Sequence, residues 1–355
     1  MIKKKKVDSS PLGIIRIQVK DSLAYEKTAA GWKKSSLNFP HAQKVILAYK
    51  QHHNLKLLVD ENNPSFVKGQ LGWRKQIQGP RINILPDGER LDKAFSLFAK
   101  NLTLHDQSSD DHWDLMYQNK GGTYSYCYAV EKIKQHRDQK YKKVDEFASV
   151  YEKLLKRVGS ALRNKEDIFA LPMYTLLKTH MRVGNEIYYN THGHKGLTTL
   201  KKNDISVHGD IVKFDYIAKD GVPVMIERKF PPIYVERLKR RLEELRPNNF
   251  VFSNPETGNP LRDHHFKAAF LNYCGHEFYP HIIRSYYATS KVKEFLKGKR
   301  RIDREEVKSL YLSIAEELGH KKFVKKEHRW KNNPTVTVNH YIQPELVDKV
   351  RLMMR

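Results

Sequence analysis

Near position 135 this chain changes its pattern, and the change limits the folds open to it. Before it, short β-like runs at residues 13–19, 55–59 and 81–85 alternate with the turn signals Asn62-Asn63-Pro64, Gly79-Pro80 and Pro86-Asp87-Gly88. Such punctuation reads as a small β-containing domain. Residues 112–133 (HWDLMYQNKGGTYSYCYAVEKI) add two aromatic strand candidates around Gln118-Asn119-Lys120-Gly121-Gly122, which predicts a hairpin. Its tyrosines 117, 124, 126 and 128 can stack on a ligand or pack a core, and alternating strand aromatics more often do the latter. After it, residues 145–162 and 165–177 carry apolar positions at three-to-four spacing, and similar patterns return at 232–245, 263–273, 282–296 and 304–318. That period is helical. One β interlude breaks the series, because residues 211–218 and 222–228 flank Lys219-Asp220-Gly221 and put Lys219 at a hairpin tip. The expected fold is therefore α+β: a small β-rich N-terminal domain over residues 1–135, then a mainly helical domain over 136–355 carrying a β-hairpin. No internal repeat is present.

Charge bounds the partner. The chain holds 65 Lys plus Arg against 40 Asp plus Glu, a formal net charge of +25, which fits a large polyanion better than a small metabolite. With 355 residues and 39% hydrophobic content it can bury a real core and is no disordered basic tail. Only Cys127 and Cys274 are present, without CxxC or Cys/His finger spacing, so neither a disulfide framework nor a structural zinc is indicated. The basic start MIKKKK leads into no uninterrupted apolar stretch, and no long apolar run occurs, so a soluble intracellular protein is expected.

Five residues in the second half hold the parts for attacking a phosphodiester. Tyr341 offers an oxygen nucleophile; Arg182 and Arg284 offer forked donors that stay charged; His320 offers a further hydrogen bond; Lys219 offers a proton for the leaving oxygen. No acidic cluster with metal-ligand spacing and no GxxxxGK[ST] loop accompanies them, so no metal and no ATP-type cofactor is expected. Singly, any of these residues is more often a solvated surface charge.

The text around them narrows the reading. Residues 181–205 (MRVGNEIYYNTHGHKGLTTLKKNDI) and 209–223 (GDIVKFDYIAKDGVP) resemble the poxvirus-like and bacterial type IB DNA topoisomerases. In that resemblance Arg182 is the first catalytic arginine, the run 196–200 (GLTTL) follows it, and Lys219 is the hairpin lysine. HIIRSYYATSKVKEF, residues 281–295, puts Arg284 at the second arginine; ELGHKKF and NPTVTVNHYIQPEL put His320 and the nucleophile Tyr341 in place. The likeness covers roughly residues 110–355. It implies a monomeric clamp around double-stranded DNA that breaks one strand through a 3′-phosphotyrosyl link and reseals it, without cofactor, metal or obligate protein partner. DNA contacts are then expected from Tyr124, Tyr126, Lys195 and His281.

Two departures stand out. The family usually has lysine three residues before the second arginine, whereas this chain has His281, the His-x-x-Arg form of tyrosine recombinases. Between His320 and Tyr341 lies a long basic stretch, KKFVKKEHRWKNNP, which makes His328 and His340 competitors for the histidine role. His320 is preferred because Leu318-Gly319 at a helix end would turn it inward; His340 is expected to face DNA or solvent, and His192 and His194 to lie in a loop. The alternatives are a site-specific tyrosine recombinase and a non-catalytic DNA-binding protein. A bacterial cytoplasm, in association with the nucleoid, is the favoured setting.

Overall fold

In a computed structural model of the chain, residues 11–105 and 113–354 are described. The MIKKKK start and the His112 end of the expected hairpin lie outside them. The chain divides into two compact units, Met1–Gln139 and Lys140–Arg355.

The first unit is built from short strands and one helix. Strands β1 (Ile15–Ile17), β2 (Ala24–Thr28) and β3 (Gly31–Lys34) precede helix α1 (Pro40–Gln51); β4 (Gln70–Leu71), β5 (Ile77–Gln78), β6 (Ile82–Ile84), β7 (Arg90–Phe95), β8 (Lys100–Leu104), β9 (Leu115–Gln118) and β10 (Tyr124–Cys127) follow. They form a five-stranded sheet in the order β3-β2-β1-β4-β5, a three-stranded sheet β10-β9-β8 and a ribbon β6-β7. Helix α1, absent from the sequence reading, starts on Pro40, whose fixed φ suits a first helical turn. It buries Ala42, Val45, Ile46 and Tyr49 on one face against Ile17, Leu58, Phe95 and Leu115. The expected strand at 55–59 is instead a 3₁₀ turn, Leu55–Leu58. Its leucines lack the β-branching that favours a strand, and so short a run, interrupted by Lys56, suits either form.

The hairpin pairs β9 with β10 in the register Tyr124↔Gln118 and Tyr126↔Met116. Cys127 points into the core while Tyr124 and Tyr126 stand 42% and 40% exposed on the other face. The expectation of core packing is thus corrected for these two; only Tyr117 packs against the core.

The second unit is mainly helical. It comprises α2 (Val130–Ala161, which begins before the boundary), α3 (Ala170–Thr179), α4 (Glu186–His192), β11 (Ile205–His208), β12 (Ile211–Ile217), β13 (Pro223–Lys229), α5 (Pro232–Glu244), α6 (Asp263–Cys274), α7 (Ile282–Leu296), α8 (Arg304–Glu317), β14 (Lys321–Val324), β15 (Arg329–Asn332), α9 (Thr335–His340) and α10 (Pro344–Met353). Helix α2 starts fifteen residues before the predicted 145, because residues 130–144 are polar and their one helical stripe is sparse. The recurring Tyr141, Val144, Phe147, Leu154 and Val158 bury one side of it. Phe147 meets Phe270, Phe278 and Tyr286 edge-on at centroid distances of 5.9, 5.1 and 5.3 Å, the favourable aromatic geometry.

Two buried clusters fill this unit, and α7 enters both. Ile283 belongs to the one around Phe147, while Ala288 and Val292 belong to the one that includes Ile314, Tyr341, Ile342 and Val350. Arg284 therefore sits on a helix pinned at both ends. Strands β12 and β13 alternate buried Val212, Phe214, Tyr216, Val224 and Ile226 with outward residues, so the ribbon has one fixed face. Its tip is the Lys219-Asp220-Gly221 turn, with Asp220 and Gly221 at φ of 63° and 75°. His192, expected in a loop, is the last residue of α4, whose Asn185 accepts from the backbone N–H of Ile187 and Tyr188.

Candidate active site

Arg182 is fixed by a close crossing of backbone. Leu197 N donates to Arg182 O at 2.8 Å and Thr198 N to Val183 O at 2.7 Å, so the 196–200 run is laced onto the segment carrying the arginine. A Cβ on Gly196 would stand 2.6 Å from Gly184 Cα, so only glycine allows this approach. Arg284 is held from within the fold: its Nη1 donates to His180 O at 2.7 Å and its Nη2 to Leu318 O at 2.6 Å, while its Nε makes no hydrogen bond. Burial, then the neighbouring Arg182, lowers its pKa to about 10, which leaves it charged near neutrality.

His320 reaches the site through a helix end. His320 N donates to Ala315 O and Gly319 N to Glu316 O, the pair of bonds that closes a helix on a left-handed residue, here Gly319 at φ 65°. The ring turns inward and is 9% exposed. Because a guanidinium only donates, His320 Nε2 accepts from Arg284 Nη2 at 3.1 Å; the ring proton is then on Nδ1, donating to Thr337 Oγ1 at 2.8 Å. Burial and the charges of Arg284 and Arg182 lower the His320 pKa to about 3, so it is neutral.

Tyr341 follows the last residue of α9 and is 4% exposed. Its hydroxyl accepts from Arg182 Nη2 at 3.0 Å and lies 2.8 Å from His281 Nε2. With Arg182 donating, the phenol proton can go to His281. Burial, followed by Arg284, Arg182, Lys140 and His320, takes the His281 pKa to about 3, so this ring too is neutral and free to accept. The Arg284 guanidinium and the Lys140 ammonium each lie 5.4 Å from the Tyr341 ring centroid. Lys140 also donates to His340 O, and burial lowers its pKa to about 8.

Arg182, Lys195, Lys219, Arg284, His320 and Lys321 line one cavity of about 160 Å³. Lys219 is exposed at the ribbon tip. An adjoining cavity of about 260 Å³ shares Arg182 and Lys219 and is closed by Tyr188, His194, Tyr279 and His281. Lys195 lines both, but its ammonium is engaged by Asp204 at 2.7 and 2.8 Å. His328 stands exposed at the turn between β14 and β15, and His340 is exposed beside Tyr341, so neither takes the place His320 occupies. Behind the site, Glu317 bonds His180 Nδ1 at 3.0 Å and also pairs with Arg228. Burial pushes Glu317 up, but these hydrogen bonds outweigh it and leave its pKa lowered.

The five residues picked out in the sequence thus gather in one place, together with four that were not assigned there: Lys140, His180, Thr337 and Glu317. Lys140 lies in a run of lysines with nothing to single it out, and Thr337 is one of two threonines in TVTV. His281 was expected to contact DNA; its ring nitrogen faces the Tyr341 hydroxyl.

Residues 130–344 match the family model of the catalytic core of eukaryotic DNA topoisomerase I. The chain belongs to this family. All five residues above fall within the match, and the second unit is a type IB topoisomerase-like catalytic domain. Among solved structures the topoisomerase core is similar to the XerH site-specific recombinase bound to difH substrate in a pre-cleavage complex, at 20% identity and a TM-score of 0.34, over 48% of this chain and 46% of that one. The post-cleavage complex of XerH with palindromic difH gives 19% identity and a TM-score of 0.33, over 48% and 45%. The match therefore spans less than half of each recombinase chain. Among curated proteins no significant match is found.

Proposed function

We propose that this chain is a type IB DNA topoisomerase that relaxes supercoiled duplex DNA by transient single-strand cleavage, without ATP or metal. The observation that carries the reading is the Tyr341 hydroxyl, bonded on one side by Arg182 and on the other by a neutral His281, with the Arg284–His320 pair beside it. A phosphodiester entering the basic cavity meets the Arg182 guanidinium, suited to forked recognition of its non-bridging oxygens, and the fixed positive charge of Arg284 beside it. Tyr341 Oη attacks phosphorus while its proton passes to His281. The phosphate's negative charge offsets part of the cationic repulsion that holds this ring neutral, so the ring becomes a better base as substrate binds. The bond from phosphorus to the 5′ oxygen breaks, and Lys219, on the rim of the same cavity, supplies the proton that oxygen needs. His320 supports the equatorial oxygens once its ring proton moves to Nε2; the Thr337 hydroxyl permits this because it can donate to Nδ1 as readily as accept from it. The 3′-phosphotyrosyl bond keeps the energy of the phosphodiester, so the 5′ hydroxyl reseals the strand by the same steps reversed.

The test is relaxation of supercoiled plasmid in EDTA without ATP, with covalent complexes trapped by detergent. Wild-type protein is expected to relax the plasmid and leave a 3′-linked adduct, and Tyr341→Phe to do neither. Lys219→Ala should cleave slowly on ordinary DNA and recover on a 5′-bridging phosphorothiolate, whose sulfur leaves without protonation. No relaxation by wild type overturns the reading. His281 beside the nucleophile also fits a site-specific tyrosine recombinase, and strand exchange confined to one sequence would favour that reading.

A further inference from the structure

The basic stretch between His320 and Tyr341 is an ordered antiparallel ribbon. Strands β14 and β15 pair in the register Lys321↔Asn332, Lys322↔Lys331, Phe323↔Trp330 and Val324↔Arg329. Alternation divides it into two faces. Lys321, Phe323, Trp330 and Asn332 share the first, which is anchored: Trp330 packs against the core around Phe147, and Lys321 Nζ donates to Pro223 O at 2.8 Å. Asn333 N, just past β15, donates to His320 O at 2.8 Å. The ribbon is thus bolted at its base to the histidine of the site and to the strand that follows the Lys219 turn.

The second face and the tip are cationic. Residues 321–332 contain six Lys or Arg and a single acid, Glu327, which is shared between Arg329 at 2.6 Å and Lys331 at 2.6 Å. Lys322 stands directly opposite Lys331, an arrangement that costs stability in a bare ribbon. Among the described residues Lys322, Lys325 and Lys326 make no ion pair, and all three are exposed. An isolated two-stranded ribbon is marginal in water, and this one adds like-charge repulsion to that weakness. A chain of evenly spaced anions along its outer face removes the repulsion.

We propose that β14–β15 is a second phosphate-binding element, which engages the backbone of duplex DNA outside the scissile phosphate through Lys322, Lys325 and Lys326. The contact carries no sequence information, since ammonium groups on phosphates position a duplex without reading bases. Its value lies in the anchoring: a duplex held by the ribbon is held in register with His320 and with the strand leading from Lys219. The proposal rests on DNA being the substrate, but binding and chemistry separate in the test.

The full-length triple variant Lys322→Gln, Lys325→Gln, Lys326→Gln is compared with wild type for binding of a short duplex over a range of salt. Neutralising three phosphate contacts lowers the slope of log affinity against log salt by about 2 to 3. A control variant, Lys297→Gln, Lys308→Gln, Lys349→Gln, removes the same charge from exposed positions elsewhere and is expected to leave the slope within about one unit of wild type. Plasmid relaxation by the ribbon variant is expected to become distributive at lower salt than that of wild type, because weaker backbone contacts release the duplex sooner. An unchanged slope in a variant that melts like wild type, or an equal loss in the control, overturns the proposal. If wild type binds the duplex with the expected slope but forms no adduct, the topoisomerase reading fails and the ribbon assignment stands.

Discussion

The hydroxyl of Thr337 is fully buried and lies 2.8 Å from His320 Nδ1. It lets a neutral imidazole hold its proton on either nitrogen, which a fixed acceptor such as a carbonyl would not. Thr337→Val keeps the shape and removes this freedom. Adduct formation in a single turnover is expected to fall about tenfold, roughly 1.4 kcal/mol of barrier, with DNA affinity unchanged. A variant cleaving at the wild-type rate would show that the hydroxyl is only structural. The two neutral histidines have a second consequence. Their pKa values near 3 lie below the ordinary 6.5, so between about 3 and 6.5 the unfolded chain binds more protons than the folded one. Their contribution to stability is whole above 6.5 and is lost as pH falls through that window. Thermal unfolding followed from pH 7 to 4 should show this decline, and the double variant His281→Asn, His320→Asn should flatten it. An equal decline in the double variant assigns the effect to other groups.

At the level of elements, the site depends on two glycine devices that place arginine and histidine on otherwise ordinary connections. The crossing of Gly184 and Gly196 lets the 196–200 run grip Arg182, and Gly319 ends α8 so that His320 turns back into the fold. Gly196→Ala puts a methyl 2.6 Å from Gly184 Cα and N, and backbone has little room to yield. The expected cost is about 1–3 kcal/mol of stability from overpacking. A displaced Arg182 is expected to slow cleavage by about 10²-fold, as misplacement near an ångström does in positioned catalysis. Chemical denaturation and single-turnover cleavage check the two effects separately; a variant with both intact would mean the crossing tolerates more than its contacts suggest. The Leu-Gly-His turn was legible because Gly after a helical run is a known stop and the direction of the next residue follows from it. The grip of the 196–200 run was not, since its partners lie on backbone atoms that a sequence does not display. The ribbon β14–β15 was read only as a basic stretch: its cross-strand pairs of Lys with Lys and Val with Arg carry no clean alternation.

For the molecule as a whole, an aromatic cluster lies at the heart of one of the two cores of the second unit. Phe147 on α2 meets rings from α6, α7 and the segment between them; Phe147, Phe270 and Phe278 are buried and Tyr286 is half-buried. Phe147→Ala is expected to cost about 3–5 kcal/mol, the usual toll for emptying a packed aromatic site, and to lower the thermal midpoint of the catalytic unit. A loss under about 1 kcal/mol would mean that the neighbouring rings collapse into the space. The sequence by itself determined the strong net positive charge, the β-to-helix order and the five residues that the fold gathers in one place, because charge is summed over the chain, periodicity is local, and the motif text lies beside each residue it marks. It also placed Lys219 at its tip, since a turn of permissive residues between alternating strands is a local signal. Only the tertiary structure decided that His281 faces the Tyr341 hydroxyl, that Lys140 stands over the same ring 201 positions before it, and that Arg284 on one nitrogen and Thr337 on the other flank the His320 ring. These are contacts between separate elements, fixed by how buried faces dock, and no pattern along a single strand or helix records them.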